Sequence, residues 1–211
     1  YTKSIGCIEI TPENFKVDEI DNNPLYMPDA TAAKKAGIYL EECIKNQNSS
    51  GGVCECIITG LPVGLGDPVF EKIDANLAKA IMSIGAVKGF EIGDGFEAAK
   101  ATGLTNNDAF IIEDGIVKKT TNHSGGTLGG MTDGSPLILR AAIKPTPSIA
   151  STQHTVNKSG ENIDISIKGR HDPIIVPRAV VVVESMAAIT IADALLINMA
   201  SRMDKIIDFY K

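Results

Sequence analysis

The stretch NHSGGTLGGMTDGSPLILRAAIKPTPSI, residues 122–149, decides how the rest of the chain is interpreted. It begins with five glycines within ten residues: Gly125, Gly126, Gly129, Gly130 and Gly134. Glycine allows positive φ angles and lets a backbone approach a ligand closely. The aliphatic run Leu137–Ile143 then predicts a short buried strand.

The strand is followed by Lys144–Ser148, which combines one cation and two hydroxyl groups with two prolines. Because proline fixes φ, a loop of this kind is already stiff before anything binds to it. These residue types suit an anion or a flat polar ring. A glycine-rich hairpin with a proline-stiffened exit is the plain structural alternative, and the segment by itself leaves both interpretations open.

Composition points to an ordinary soluble globular protein of one or two domains. The chain has 211 residues, of which 44% are hydrophobic and 22% charged. Its four cysteines lack the C-x₂-C spacing of a zinc site, so we expect reduced, mostly buried thiols in a cytosolic protein. They are Cys7, Cys43, Cys54 and Cys56.

Charge argues against two classes of partner. The net charge of −6 and the absence of a basic stripe argue against nucleic acid. The most apolar segment, Val180–Ala200, contains Glu184 and Asp193, so it predicts a buried helix and not a membrane span. No signal peptide is expected, and a start at Tyr1 suggests a fragment.

The first half of the chain predicts alternating strands and helices. Strands are expected over Tyr1–Ile10, Gly52–Gly60 and Ile84–Ile92. A helix over Asp29–Asn46 is capped by Asp29, and its apolar positions are Ala32, Ala33, Ala36, Leu40 and Ile44. A second helix starts at Asp67-Pro68 and runs to about Ser83, with a buried set of Val69, Phe70, Ile73, Leu77, Ala80 and Ile81.

The second half predicts hairpins and one long helix. Phe96–Thr102 favours a short helix, and Asp114-Gly115 is a strong turn pair for a hairpin over 109–119. Strands over 154–156 and 163–167 follow, and alternation of Ile163, Ile165 and Ile167 predicts one buried face. The final helix is apolar almost all round, so we expect it to lie between layers.

Several familiar enzyme motifs are absent from the sequence. Gly125–Gly130 lacks the G-x-G-x-x-G spacing of a dinucleotide site, and it precedes a strand where that site needs a helix. The sequence also contains neither a P-loop nor a G-x-S-x-G nucleophile motif. A less common kind of site is therefore indicated.

Five blocks, in this order and spacing, resemble the chorismate synthase family. The resemblance runs from about Asn22 to the C-terminus and covers only the C-terminal part of that family. The family's N-terminal region, with both catalytic histidines, has no counterpart here. The blocks are GLGDPVFEKIDA (64–75), SIGAVKGFEIGDGF (83–96), LGGMTDG (128–134), KPTPS (144–148) and GRHDP (169–173).

The resemblance implies a fold, a reaction and an assembly. The fold would be α+β, a layered sandwich of helices between antiparallel sheets, with residues 1–211 forming the C-terminal part of a single domain. The reaction would be anti elimination of phosphate from 5-enolpyruvylshikimate 3-phosphate to chorismate, the last common step of aromatic amino-acid biosynthesis. It would need reduced FMN without net redox change. A cytoplasmic homotetramer is implied, and whether it reduces its flavin with NADPH is left open.

The resemblance also implies site residues. The FMN contacts would be Gly85, Ala86, Gly129, Lys144, Pro145, Thr146, Pro147, Ser148 and Arg170. Asp172 would help to remove the ring proton through the flavin N5, and Arg170 would also lie near the substrate. No metal is expected. Family members usually carry asparagine at Gly85, and a helix-starting proline at Val181.

Five further polar residues have no assigned chemistry. His123, His154 and His171 are expected to be structural or surface residues, and Arg140 a charge at a strand end. Arg178, near a helix N-terminus, faces an unfavourable dipole, so we expect it to have an acidic partner.

Two alternatives to a catalytic protein remain at this point. One is a non-catalytic module that binds flavin or another anion, and the other is a structural fragment left by proteolysis. On either reading, and also because both catalytic histidines are missing, the chain by itself is expected to be inactive.

Overall fold

The computed structural model describes residues 1–169 and 171–211, apart from the side chains of Lys205 and Phe209. Its helices are α1 (Ala30–Lys45), α2 (Ile73–Met82), α3 (Val176–Met199) and α4 (Met203–Phe209). The first strands are β1 (Thr2–Ile5), β2 (Ile8–Glu9), β3 (Gly52–Ile58) and β4 (Val87–Ile92). The others are β5 (Phe110–Glu113), β6 (Ile116–Lys119), β7 (Thr127–Leu128), β8 (Met131–Thr132), β9 (Leu137–Ile143), β10 (Gln153–Val156) and β11 (Asn162–Ile165).

The largest sheet has five strands in the order β2-β1-β3-β9-β4. Strand β1 runs antiparallel to both of its neighbours, with Ser4 opposite Glu9 on one side and Val53 on the other. Three antiparallel hairpins are separate from this sheet: β5–β6, β7–β8 and β10–β11. Helices together with antiparallel strands make an α+β fold.

The chain forms two compact units. Unit one comprises residues 1–54 and 142–180, and unit two comprises residues 55–141 and 181–211. Strands β3 and β9 and helix α3 each contribute residues to both units. A single domain over 1–211 stays a prediction.

In unit one, the core lies between α1 and the β1–β2 hairpin. The Asp29 carboxylate begins α1 by accepting hydrogen bonds from the backbone N–H of Thr31 (2.9 Å) and Ala32 (3.0 Å), as the sequence predicts. Ile44, one of the apolar positions of the predicted helix, is 59% exposed and does not join the core. The buried cluster contains Ile5, Ile10, Met27, Ala32, Ala33, Ala36 and Leu40.

In unit two, α2 packs against β4 with Ile73, Leu77 and Ile81 fully buried. The predicted start of this helix at Asp67 is wrong. Asp67 and Glu71 instead exchange two backbone hydrogen bonds, of 2.8 and 3.0 Å, which close a tight loop before the helix begins at Ile73. That loop leaves Val69 and Phe70 74% and 87% exposed, so neither belongs to the core.

Helix α3 confirms the predicted helix but not its predicted burial. A single stripe of Val176, Val183, Ala187 and Ile191 is buried, at the spacing of one helix face. Val181, Ile189 and Leu196 are each at least 60% exposed, because the described residues cover only that stripe. By length and composition alone, α3 is long and apolar enough to cross a membrane, a test that core helices of soluble proteins also pass.

Three shorter elements confirm or correct the sequence reading. The hairpin around Asp114-Gly115 is confirmed. Tyr1–Ile10 is two short strands, because Gly6 turns the chain at a φ of 56°. Ile163, Ile165 and Ile167 are exposed, so the predicted buried face of β11 is wrong; no described layer covers it.

Candidate functional site

The Lys144–Ser148 segment leaves the end of β9 within unit one, and side chains on both sides fix its backbone. The Ser49 hydroxyl donates to the Thr146 carbonyl at 2.6 Å. The Gln153 amide donates to the Pro147 carbonyl at 2.9 Å. Two consecutive carbonyls are thereby satisfied by the protein, so the segment is rigid before any ligand arrives.

Gly51 lets the neighbouring loop approach this segment closely. A Cβ at Gly51 would lie 2.5 Å from the Ile143 carbonyl oxygen and 3.0 Å from Cδ of Pro145. Contacts that short do not occur, so the approach requires glycine. The adjacent Ser50 N–H donates to the Pro173 carbonyl at 2.8 Å, so the same loop also anchors the segment that carries Asp172.

The side chains of the segment retain free hydrogen-bonding capacity. The Thr146 Oγ1 atom is buried and has no hydrogen-bond partner among the residues that the structure describes. Buried hydroxyls are almost always paired, since leaving one unpaired costs about 1–3 kcal/mol. Lys144 is exposed and forms no ion pair within the described part of the chain. An unpaired hydroxyl and an unpaired cation fit a polar, anionic group such as the phosphate end of FMN.

The Asp172 carboxylate forms an ion pair with the guanidinium of Arg178, which lies in the first turn of α3. The two side chains are 41% and 67% exposed, respectively. This pair confirms that Arg178 has an acidic partner, which offsets the unfavourable helix dipole. Arg170, predicted to contact both FMN and substrate, lies outside the described residues.

The remaining predicted FMN contacts lie in turns of unit two. Gly85 and Ala86 connect α2 to β4, and Ala86 has a φ of 72°. A non-glycine residue with positive φ is uncommon and is enriched at functional positions. Gly129 and Gly130, with φ angles of 60° and 88°, form the turn between β7 and β8. The glycine-rich hairpin expected as the plain alternative is therefore present.

Sequence reasoning missed the carboxylate that anchors the start of the glycine-rich stretch. Asp108 is only 9% exposed and accepts hydrogen bonds from the backbone N–H of His123 (2.8 Å) and Ser124 (3.0 Å). It also accepts one from the Thr121 hydroxyl at 2.8 Å. Burial raises the pKa of Asp108, but these hydrogen bonds outweigh it and lower the pKa to about 2. From the sequence alone, Asp108 is recognisable only as a residue of a polar turn.

The charged residues without an assigned role are mostly paired. Arg140 lies within β9, not at a strand end, and donates to Glu91 at 3.0 Å and Glu55 at 3.3 Å. Two carboxylates therefore balance its charge. Nδ1 of His123 lies 2.7 Å from Asp94, and Nδ1 of His154 lies 2.5 Å from Asp164.

Among the described residues, neither a metal-binding cluster nor the surface depression on the β10–β11 hairpin coincides with the predicted site. Within the described residues, no group of three His, Cys, Asp or Glu side chains is arranged to hold a metal ion. A surface depression of about 470 Å³ lies on the β10–β11 hairpin and includes none of the predicted site residues. It is lined by His154, Thr155, Val156, Asn162, Ile163 and Asp164.

Comparison with known proteins identifies the family. The model of the chorismate synthase family matches residues 1–196, so the chain belongs to that family. It is 82% identical over 211 residues to a chorismate synthase of Agathobacter rectalis, covering 100% of this chain and 58% of that protein. It is 48% identical over 201 residues to one of Archaeoglobus fulgidus, covering 94% and 56%.

A solved structure agrees with this assignment. A crystal structure of chorismate synthase superposes with a TM-score of 0.78 at 30% identity, covering 100% of this chain and 60% of that one. The resemblance and the α+β fold class are therefore confirmed, although the family match begins at residue 1 and not near Asn22. The chain spans about 58% of the length of the Agathobacter rectalis relative. The cofactor and the site residues stay predictions.

Proposed function

We propose that the full-length protein carrying this sequence is a chorismate synthase. It eliminates phosphate from 5-enolpyruvylshikimate 3-phosphate in the anti sense and releases chorismate. The observation that carries the proposal is 82% identity to a protein of that name over every residue of this chain. The stiff segment with an unpaired cation and an unpaired hydroxyl supports it, because cofactor and substrate would both be anionic.

Reduced FMN is the proposed cofactor. Lys144 and Thr146 would hold its anionic end, through the free ammonium group and the unpaired hydroxyl. Gly85, Ala86 and Gly129 would contact it through backbone groups, and Pro145 and Pro147 of the stiff segment would contact it as well. When bound, it would supply the ring that assists proton and phosphate departure without net oxidation or reduction.

Asp172 is the proposed catalytic carboxylate of this chain. Arg170 is the second proposed catalytic residue. The Asp172 carboxylate is paired with the Arg178 guanidinium, which would orient it. The backbone after it is fixed as well, since the Pro173 carbonyl accepts from Ser50. A carboxylate that is oriented yet accessible is suited to accept a proton, because a general base must reach the proton that it removes.

The test is an assay of the purified full-length protein with 5-enolpyruvylshikimate 3-phosphate and reduced FMN. We expect stoichiometric chorismate and phosphate, saturable FMN binding and, by light scattering, the mass of a tetramer. Fractionation of the source cells should recover the protein in the cytoplasm. The 211-residue chain alone is expected to give no turnover. Saturable FMN binding by the full-length protein without chorismate formation would favour a binding module, and turnover without FMN would contradict the cofactor assignment.

A further inference from the structure

His171 contacts two groups of unit one through its two ring nitrogens. Its Nε2 atom lies 2.8 Å from the Ile167 carbonyl oxygen. Its Nδ1 atom lies 3.3 Å from Oγ of Ser148, the last residue of the stiff segment. Both side chains are half-buried. The ring therefore bridges Ile167 to a residue predicted to contact the cofactor.

The carbonyl contact determines which ring nitrogen carries the proton. A carbonyl oxygen only accepts hydrogen bonds, so Nε2 must donate and hence carry the hydrogen. In the neutral ring Nδ1 is then an acceptor, and the Ser148 hydroxyl must be the donor. Once its single hydrogen points at His171, Ser148 presents only lone pairs to any other neighbour.

Thr146 provides the contrast within the same segment. Its Oγ1 atom has no partner among the described residues, so its hydrogen is free to be donated. The hydroxyls of Thr146 and Ser148 therefore differ in their hydrogen-bonding role, although the sequence alone does not distinguish them. One is available as a donor, and the other only as an acceptor.

We propose that His171 is a positioning residue that sets the direction of the Ser148 hydroxyl. Ser148 then accepts a hydrogen bond from a donor of the bound cofactor, a hydroxyl or a ring N–H, and does not bind its phosphate oxygens. The inference rests on the proposed function, in which Lys144–Ser148 contacts FMN. It gives His171 a role that neither the motif nor the fold assigns.

The first test needs no ligand. The chain has three histidines, so the ring ¹⁵N resonances of His171 are assignable by comparison with the His171→Asn variant. We expect a protonated Nε2 and a bare Nδ1, and Ser148→Ala should shift the Nδ1 resonance selectively. A protonated Nδ1, or no response to Ser148→Ala, would overturn the hydrogen-bond direction.

The second test is a double-mutant cycle read by FMN titration of the full-length protein. Ser148→Ala and His171→Leu should each weaken binding about fivefold, as expected for one hydrogen bond. The double variant should lose about fivefold as well, because His171 acts through Ser148. His171→Asn keeps an acceptor near the Nδ1 position and should bind FMN within about twofold of the parent. His154→Asn is the matched control for removing a histidine, with no expected change.

The outcomes separate this inference from the proposed function. If the parent binds FMN and the affinity losses of the two single variants multiply in the double variant, this inference alone is overturned. Equal damage from His171→Asn and His171→Leu overturns it too, provided that both variants retain the unfolding midpoint of the parent. A parent that never saturates with FMN contradicts the proposed function and removes the ligand half of this inference, while the ¹⁵N measurement still decides the tautomer.

Discussion

Asp108 and Asp172 are both aspartates in loops, yet their surroundings are opposite. Asp108 is 9% exposed and receives three hydrogen bonds from the stretch 121–124. Asp172 has a side chain that is 41% exposed, and its one described ion pair is with the still more exposed Arg178. A buried and fully hydrogen-bonded carboxylate stabilises the fold, whereas an oriented and accessible one is available for chemistry.

The comparison distinguishes an aspartate that supports the fold, Asp108, from one that is available to react, Asp172. The lone pairs of Asp108 are already engaged by protein donors, so that carboxylate has little capacity to accept a proton from a substrate. Removing Asp108 should therefore lower stability first. Removing the Asp172 charge should lower activity first, because an exposed ion pair contributes little to folding. The four predictions below test this separation, in order of decreasing effect.

The largest expected effect is on turnover in Asp172→Asn. Loss of a positioned acid or base commonly costs about 10²–10⁴ in rate, so the single-turnover rate should fall by that order. FMN affinity should stay within about twofold of the parent, and the free energy of unfolding within about 1 kcal/mol, since only an exposed ion pair is lost. A single-turnover rate within twofold of the parent would instead make Asp172 a plain turn residue.

Asp108→Asn should give the largest loss of stability. It removes the charge that the backbone N–H groups of His123 and Ser124 engage, and hydrogen bonds to charged groups contribute about 1.5–3 kcal/mol. We expect the free energy of unfolding to fall by about 2–3 kcal/mol in urea titrations. Asn107→Ala, at the exposed neighbouring position, is the control, and it should change that free energy by less than about 0.5 kcal/mol. Equal effects of the two would contradict the anchor role.

Lowering the pH should also reveal the contribution of the Asp108 carboxylate to stability. Hydrogen bonds lower the pKa of Asp108 from its ordinary 3.8 to about 2 in the folded protein, which corresponds to about 2 kcal/mol. Because the folded pKa is the lower one, this stability is present above about pH 5 and is lost as the pH falls through 4 towards 2. Unfolding free energies measured between pH 6 and 3 should decline less steeply in Asp108→Asn. Parallel curves for variant and parent would refute the assignment.

Sequence reasoning succeeded where the signal was local. The Asp29 cap, the Asp114-Gly115 turn and the aliphatic strand Leu137–Ile143 each carry their cause within a few residues, and all three are confirmed. The Asp108 anchor escaped because its partners lie 13 to 16 residues further along the chain. No periodicity connects a turn residue to distant backbone N–H groups.

Burial was harder to predict than secondary structure. The α3 pattern predicts a helix correctly, but an apolar surface does not say what covers it, and only one stripe of α3 is buried by the described residues. At the candidate site, the motif selected Asp172 and the dipole argument predicted an acid for Arg178. That these two form one pair required the structure, because α3 begins between them at Val176.

The smallest effect is expected from Arg178→Gln. Since both partners are exposed, their ion pair should contribute no more than about 1 kcal/mol to the free energy of unfolding. If the pair orients the Asp172 carboxylate, turnover should nevertheless fall about two- to fivefold, with FMN affinity unchanged. Combined with Asp172→Asn it should cause no further loss, because the residue that it orients is then already inactive. Arg202→Gln, which removes a similarly exposed pair with Asp204, is the matched control and should leave turnover unaltered. If both arginine variants keep the turnover of the parent, the pair with Asp172 only offsets the unfavourable position of Arg178 at the N-terminus of α3, and the direction of Asp172 is set by the backbone alone.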